Sequence, residues 1–210
     1  MADEKKRQKK LMKKKRKDKN RKKKQAGSAS SFSSDPRKKV REARQYPVYE
    51  CLINSDWKDR GLAHILVSRR QPDGNIVFGV YLVDIFCLGV KNAFCNADFT
   101  MVKYRTEVKE RIKETTEDMV ECPLALAHQI IYEGIEYASS LGFRPHKDFE
   151  LAGYVLEGKD ALEPVEDIEF GKDGMPFYIS GPDDNPDKIM RQLEKSVGKD
   201  NFRFITGFEP

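Results

Sequence analysis

The chain has 210 residues, of which 39% are hydrophobic, and it carries 39 Lys and Arg against 34 Asp and Glu. This length fits one domain or two small ones. No apolar run reaches the roughly 20 residues of a membrane-spanning helix, so we expect no membrane partner. The basic N-terminus lacks the apolar stretch of a secretory signal, and we expect a cytoplasmic protein.

The positive charge is concentrated at the N-terminus. Residues 1–25 hold fifteen Lys or Arg and three Asp or Glu, a net charge of +12. Residues 46–210 hold 19 Lys or Arg and 29 Asp or Glu, a net charge of −10. Residues 1–25 have little apolar surface to bury, so we expect a disordered basic arm. Residues 26–45, Ser-rich and then basic, are expected to form a flexible linker to a globular domain at 46–210. Within it, residues 36–45 begin with Pro36 and could make a short basic helix.

A polycationic arm predicts a polyanionic partner, because Lys and Arg neutralise phosphates and release counterions. We therefore expect a non-catalytic protein that associates with nucleic acid, RNA or the ribosome above all, without a cofactor. The expected contacts are all the basic residues of the arm: Lys5, Lys6, Arg7, Lys9, Lys10, Lys13, Lys14, Lys15, Arg16, Lys17, Lys19, Arg21, Lys22, Lys23 and Lys24. Alternatives are a nuclear-localisation signal, contact with an anionic membrane, an arm that folds back on the acidic domain, and an acidic domain that binds a basic protein.

The first part of the domain has the pattern of β-strands. Residues 48–53 and 62–69 are apolar and β-branched, and both are predicted strands. The sequence PDGN at 72–75 is a strong turn signal and predicts a hairpin. Residues 76–90 are apolar on both alternating faces, which is typical of a central strand covered on both sides.

Helical patterns follow. Residues 98–120 predict a solvated helix with a narrow apolar stripe. A second helix is expected between Pro123 and Gly142, which fit its two ends, and a short third one at 148–156.

The last fifty residues predict a β-β-α-β unit. Residues 168–170 and 177–179 are interpreted as a hairpin, and 201–206 as a closing strand. Between them we expect a helix capped by Asn185 and ended by Gly198. The predicted fold class is α+β, a single domain with a hairpin-built sheet and three to four helices.

Asp84 is the most unusual residue of the domain, because it interrupts an apolar run where a carboxylate is costly unless it is paired. One hypothesis is a metal-dependent enzyme acting on nucleic acid, with Asp84 as an active-site acid that binds a divalent ion. Asp56, Asp59 or Asp98 would then be further ligands. The alternative is a structural role at a strand end, as a helix cap, or in a pair with Lys91, Arg69 or Arg70.

Cysteine and histidine residues suggest two weaker hypotheses. Cys122, His128 and His146, with Cys87 or Cys95, contain zinc-ligand types but not the short spacings of structural zinc sites, and we expect no metal. Cys122, near a helix start, would need His64, His128 or His146 beside it to act as a nucleophile. We expect buried free thiols instead.

The segment at 141–149 (LGFRPHKDF) joins two predicted helices. Arg144, His146 and Lys147 are candidates for contact with an anion. The alternative is a rigid turn whose Gly and Pro fix the geometry of the connection, with both Phe side chains in the core.

Three stretches, YLVDIFCLGVKNAF at 81–94, YEGIEYASSLGFRPHKDF at 132–149 and EFGKDGMPFYISGPDDNP at 169–186, carry a resemblance. Over about residues 46–208 the chain resembles a group of uncharacterised bacterial proteins. The resemblance implies a bacterial, cytoplasmic setting and a single folded unit. It implies no activity, cofactor or site residue.

Overall fold

The computed structural model describes residues 35–115 and 118–205, and the basic arm with its fifteen predicted contacts lies outside them. The main element is a five-stranded antiparallel sheet with the order β4-β3-β2-β1-β5. Its strands are β1 Val48–Asn54, β2 Leu62–Arg70, β3 Ile76–Asp84, β4 Gly89–Phe99 and β5 Met119–Glu121. A parallel pair, β6 Phe177–Ile179 and β7 Arg203–Ile205, stands apart from this sheet.

Six helices occur in the described ranges, more than the three to four expected. They are α1 Pro36–Arg41, α2 Trp57–Arg60, α3 from Met101 to Thr115, α4 Leu124–Ser140, α5 Phe149–Ala152 and α6 Pro186–Val197. The middle of α3, Tyr104–Lys109, is π-helical. The α+β class is therefore confirmed. No helix within the described ranges combines the length and the apolarity that crossing a membrane requires.

The sheet is covered on both faces, but unequally. One face, with Ile65, Val67 and Tyr81, packs against α1, α4 and α5 in the largest cluster of buried residues. The other face, with Leu66 and Phe78, packs against α3 in a smaller cluster. Burial on both faces explains why the strands read as nearly continuous apolar runs.

The predicted hairpin at 72–75 is confirmed, since β2 and β3 pair in register from Leu62 with Asp84 to Arg70 with Ile76. The single strand expected at 76–90 is wrong. The chain ends β3 at Asp84, turns through 85–88 and returns as β4. Gly89, with a φ of 63°, takes a left-handed conformation at this point, where a Cβ would lie 2.6 Å from the carbonyl oxygen of Gly134.

Two predicted helices are shorter than expected. The helix expected at 98–120 stops at Thr115, and its last residues instead form β5, the edge strand that pairs with β1. The helix expected at 148–156 is the single turn α5. The helix between Pro123 and Gly142 is confirmed as α4.

The C-terminal hairpin expected from 168–170 and 177–179 is also wrong. Residues 168–170 are not a strand, and β6 pairs in parallel with β7 across helix α6. The start of α6 follows the prediction, because the Asn185 side chain accepts a hydrogen bond from the backbone N–H of Lys188 at 3.1 Å. Gly198 follows the helix, also as expected.

Candidate functional site

Asp84 lies at the last position of β3 and is only 7% exposed. Its Oδ1 accepts hydrogen bonds from the backbone N–H groups of Phe86 at 3.0 Å and Cys87 at 2.9 Å. These two bonds fix the turn between β3 and β4, because they hold backbone donors that the sheet no longer pairs. The carboxylate therefore has a structural task at the strand end, one of the alternatives raised by the sequence.

Burial raises the pKa of Asp84 to about 6, while the charge of Lys91 and the backbone hydrogen bonds act in the opposite direction. A carboxyl group with this pKa is half protonated about one pH unit below neutrality and is mostly ionised at pH 7. Its chemistry suits proton transfer better than that of an ordinary Asp.

A cavity of about 390 Å³ opens beside this turn, lined by Asp84, Asp59 and residues of β6 and the preceding loop. The Nζ of Lys172 lies 5.5 Å from the ring centroids of both Phe86 and Phe177. Lys91 also lines the cavity, and its Nζ pairs with Asp184 Oδ2 at 2.7 Å. The cavity thus combines phenyl rings with charges of both signs.

The predicted metal ligands do not converge on Asp84. Asp98 lies at the other end of the sheet, beside the start of β3, and pairs with Lys39 at 2.9 Å. Asp56 accepts hydrogen bonds from Asn54 and Arg60, which lower its pKa. Asp59 shares the cavity with Asp84, but the described residues contain no group of three His, Cys, Asp or Glu placed to hold a metal ion.

The Cys and His residues named from the sequence have separate partners. His128 Nε2 lies 2.8 Å from the carbonyl oxygen of Gly158, and its ring packs on Tyr132. Cys122 Sγ lies 3.5 Å from Cys51 Sγ, so its close neighbour is a second thiol and not a histidine. Cys87 is buried in the turn after Asp84.

The segment with Arg144, His146 and Lys147 forms the connection between α4 and α5. Arg144 and Lys147 are exposed, and neither forms an ion pair with another described residue. The His146 backbone N–H donates to the carbonyl of Val90, and its ring Nδ1 lies 3.8 Å from Asp148 Oδ2. Two exposed cations remain available to an anion here, next to the opposing charge of Asp148.

A second concave surface was not indicated by the sequence. A groove of about 750 Å³ lies between α3 and the edge of the sheet, with Leu52 and Leu66 among its lining residues. Glu50 also lines it, accepting hydrogen bonds from the hydroxyl of Tyr104 at 2.6 Å and from Lys109 Nζ at 2.9 Å. These two residues belong to the π-helical part of α3, and no periodicity in the sequence distinguishes a π turn from an α-helix.

Comparison of the chain with models of protein families, with curated proteins and with solved structures finds no match.

Proposed function

We propose that this protein associates with RNA, free or in the ribosome, through the fifteen Lys and Arg residues of its N-terminal arm. The observation that carries the proposal is the separation of charge along the chain. Residues 1–34 have a net charge of +12, with fifteen basic and three acidic residues, whereas residues 35–210 have 24 basic and 31 acidic residues, a net charge of −7. The arm attracts phosphates and the rest of the chain repels them.

The composition of the arm favours contact with the phosphate backbone over reading of bases. Residues 1–25 contain no aromatic side chain that could stack on an exposed base. Arg and Lys in a run of this density release counterions from phosphates irrespective of sequence. We therefore expect binding with little sequence preference and a steep dependence on salt concentration.

Fluorescence anisotropy with a single-stranded RNA, measured across a salt series, tests the proposal. Replacing the fifteen Lys and Arg of the arm with Gln should weaken binding strongly and flatten the plot of log K against log salt, whose slope is about −0.7 per phosphate neutralised. The matched control replaces only the Lys residues of the arm with Arg. It keeps the charge and should keep the slope.

A second control addresses the folded domain. The double variant Arg144→Gln, Lys147→Gln removes the two exposed cations between α4 and α5 and should leave the slope within about one unit of the wild-type value. A dissociation constant unchanged by neutralising the arm would refute the proposal. If the Arg144 and Lys147 variant were the one that lost binding, the recognition surface would lie on the domain.

A further inference from the structure

Cys51 and Cys122 are 71 positions apart in the sequence and adjacent in the fold. Their Sγ atoms are 3.5 Å apart, and the backbone N–H of Cys122 donates to the carbonyl of Cys51 at 3.0 Å, which extends the β1–β5 ladder by one residue. Residues opposite each other in antiparallel strands have Cα atoms about 4.5–5.5 Å apart, inside the range of about 4.4–6.8 Å that a disulfide accepts. The backbone is therefore already positioned for a bond between these sulfurs.

The two thiols differ in their surroundings. The contact with Cys122 and burial raise the pKa of Cys51, whereas the contact with Cys51 lowers the pKa of Cys122. Cys122 is half-buried and lies two residues before Leu124, the first residue of α4, whose 17 residues place a partial positive charge at that end. Cys122 is thus the more accessible thiol and lies next to the helix start, and Cys51, 6% exposed, is the thiol behind it.

The other two cysteines lack this arrangement. Burial raises the pKa of both Cys87 and Cys95, that of Cys95 to about 11. Neither has another sulfur within hydrogen-bond distance among the described residues. Cys95 has the same intermediate exposure as Cys122, and so it serves as a matched control.

We propose that Cys51 and Cys122 form a redox-modification site, in which hydrogen peroxide converts the two thiols to a disulfide that a dithiol can reduce. The Cys122 thiolate attacks a peroxide oxygen, an S–O bond forms, the O–O bond breaks, and the leaving oxygen departs as water once protonated. The Cys51 sulfur then attacks the sulfenic sulfur of Cys122, the S–S bond forms, and the S–O bond breaks with loss of a second water that carries the Cys51 proton. Both sulfurs are oxidised by one electron each, the peroxide is reduced by two, and an external dithiol reverses the step.

The modification would act on the edge of the sheet. β5 has three residues, pairs with β1, and connects α3 to α4. A covalent bond at its end fixes the edge strand and the start of α4 to the neighbouring strand β1. The oxidised chain should consequently unfold at a higher temperature than the reduced one.

The test treats the full-length reduced protein with hydrogen peroxide, blocks remaining thiols with an alkylating agent, and maps the peptides by mass spectrometry. We expect Cys51 and Cys122 to be linked with loss of two hydrogen atoms, Cys87 and Cys95 to be alkylated, and dithiothreitol to restore all four thiols. Cys95→Ser should behave like the wild type. Cys51→Ser should leave a sulfenic acid on Cys122 that dimedone traps.

Two outcomes would overturn the proposal. One is oxidation of Cys122 to sulfinic acid without a Cys51–Cys122 link. The other is oxidation of Cys95 as fast as that of Cys122, which would show that pairing of the thiols confers no reactivity. Both can be read from the wild-type protein, so the conclusion does not depend on the folding of any variant.

Discussion

Asp84 is a buried carboxylate that stabilises a turn in the middle of an apolar run. Within the apolar run at 81–90, this carboxylate supplies an acceptor for two backbone N–H groups outside the ladder. The acceptor is buried, so its charge is held at a cost that the hydrogen bonds and Lys91 only partly offset. Asp84 therefore specifies the β3–β4 turn while lowering stability at neutral pH.

The stability of the protein should depend on pH through this residue. The pKa of Asp84 rises from 3.8 to about 6 on folding, so the folded state binds more protons than the unfolded state between those values. Its contribution to stability is greatest below about pH 4 and declines by about 3 kcal/mol as the pH rises from about 4 through 6. In Asp84→Asn, whose Oδ1 accepts the same two hydrogen bonds, this decline should be absent.

Urea unfolding from about pH 4 to about pH 8 gives the free energy of unfolding of the wild type and of Asp84→Asn at each pH. Asp59→Asn, which removes an exposed acid from the wall of the same cavity, is the control for the loss of one negative charge. A constant difference in unfolding free energy between Asp84→Asn and the wild type at every pH would show that the Asp84 carboxyl titrates alike in both states.

At the scale of elements, α3 is held to the sheet through Glu50. This carboxylate, on β1, accepts from Tyr104 and Lys109, which lie at the two ends of the π-helical segment. Tyr104 is fully buried, and burial together with the hydrogen bond to Glu50 raises its pKa. A π turn is less favourable than an α turn, and the shared carboxylate stabilises it here.

Tyr104→Phe should lower the free energy of unfolding by about 1.5–3 kcal/mol, because Glu50 loses a charge-assisted hydrogen bond in a partly buried position. Tyr49→Phe is the matched control. The Tyr49 hydroxyl accepts from Arg105 at an exposed position, so its removal should cost less than about 0.5 kcal/mol. Equal losses in the two variants, measured by urea unfolding, would contradict a role for Glu50 in fixing α3.

The elements that the sequence predicted correctly are those specified by residues close to them in the chain. The PDGN turn, the Asn185 cap and the ends of α4 are signals within a few residues of the structure they specify, and each was predicted correctly. β6 and β7 are three residues each and pair across α6, so their partnership depends on distant residues. The same limit applies to the candidate sites. Asp84 could be singled out in the sequence because it is a charged residue among apolar neighbours. The Cys51–Cys122 contact could not, because it depends on the pairing of β1 with β5.

At the scale of the whole molecule, the start of the folded unit matters for any experiment on the arm. Residues 36–45 were expected to belong to the linker, yet Val40 is 2% exposed and Ala43 is fully buried. Lys39 pairs with Asp98 at 2.9 Å, and Arg44 donates to the carbonyl oxygens of Leu156 at 2.6 Å and Gly153 at 3.1 Å. This segment packs against β4 and the region after α5 as part of the core.

Two truncations should therefore behave differently. The chain 35–210 keeps every buried contact of the described residues and should unfold at the same urea concentration as the full-length protein in about 0.5 M salt, where charges on the arm are screened within a few ångströms. The chain 46–210 loses the burial of Val40 and Ala43 and the Arg44 hydrogen bonds. Its free energy of unfolding should fall by at least about 3 kcal/mol.

The comparison also decides how the arm is to be removed in RNA-binding experiments. Loss of RNA binding by 46–210 would combine the effect of the missing charge with that of a weakened fold, whereas loss by 35–210 would report on the charge alone. An equal unfolding midpoint for 46–210 and 35–210 would show that α1 contributes nothing to stability. A lower midpoint for 35–210 than for the full chain in high salt would show that residues 1–34 support the fold by contacts other than charge.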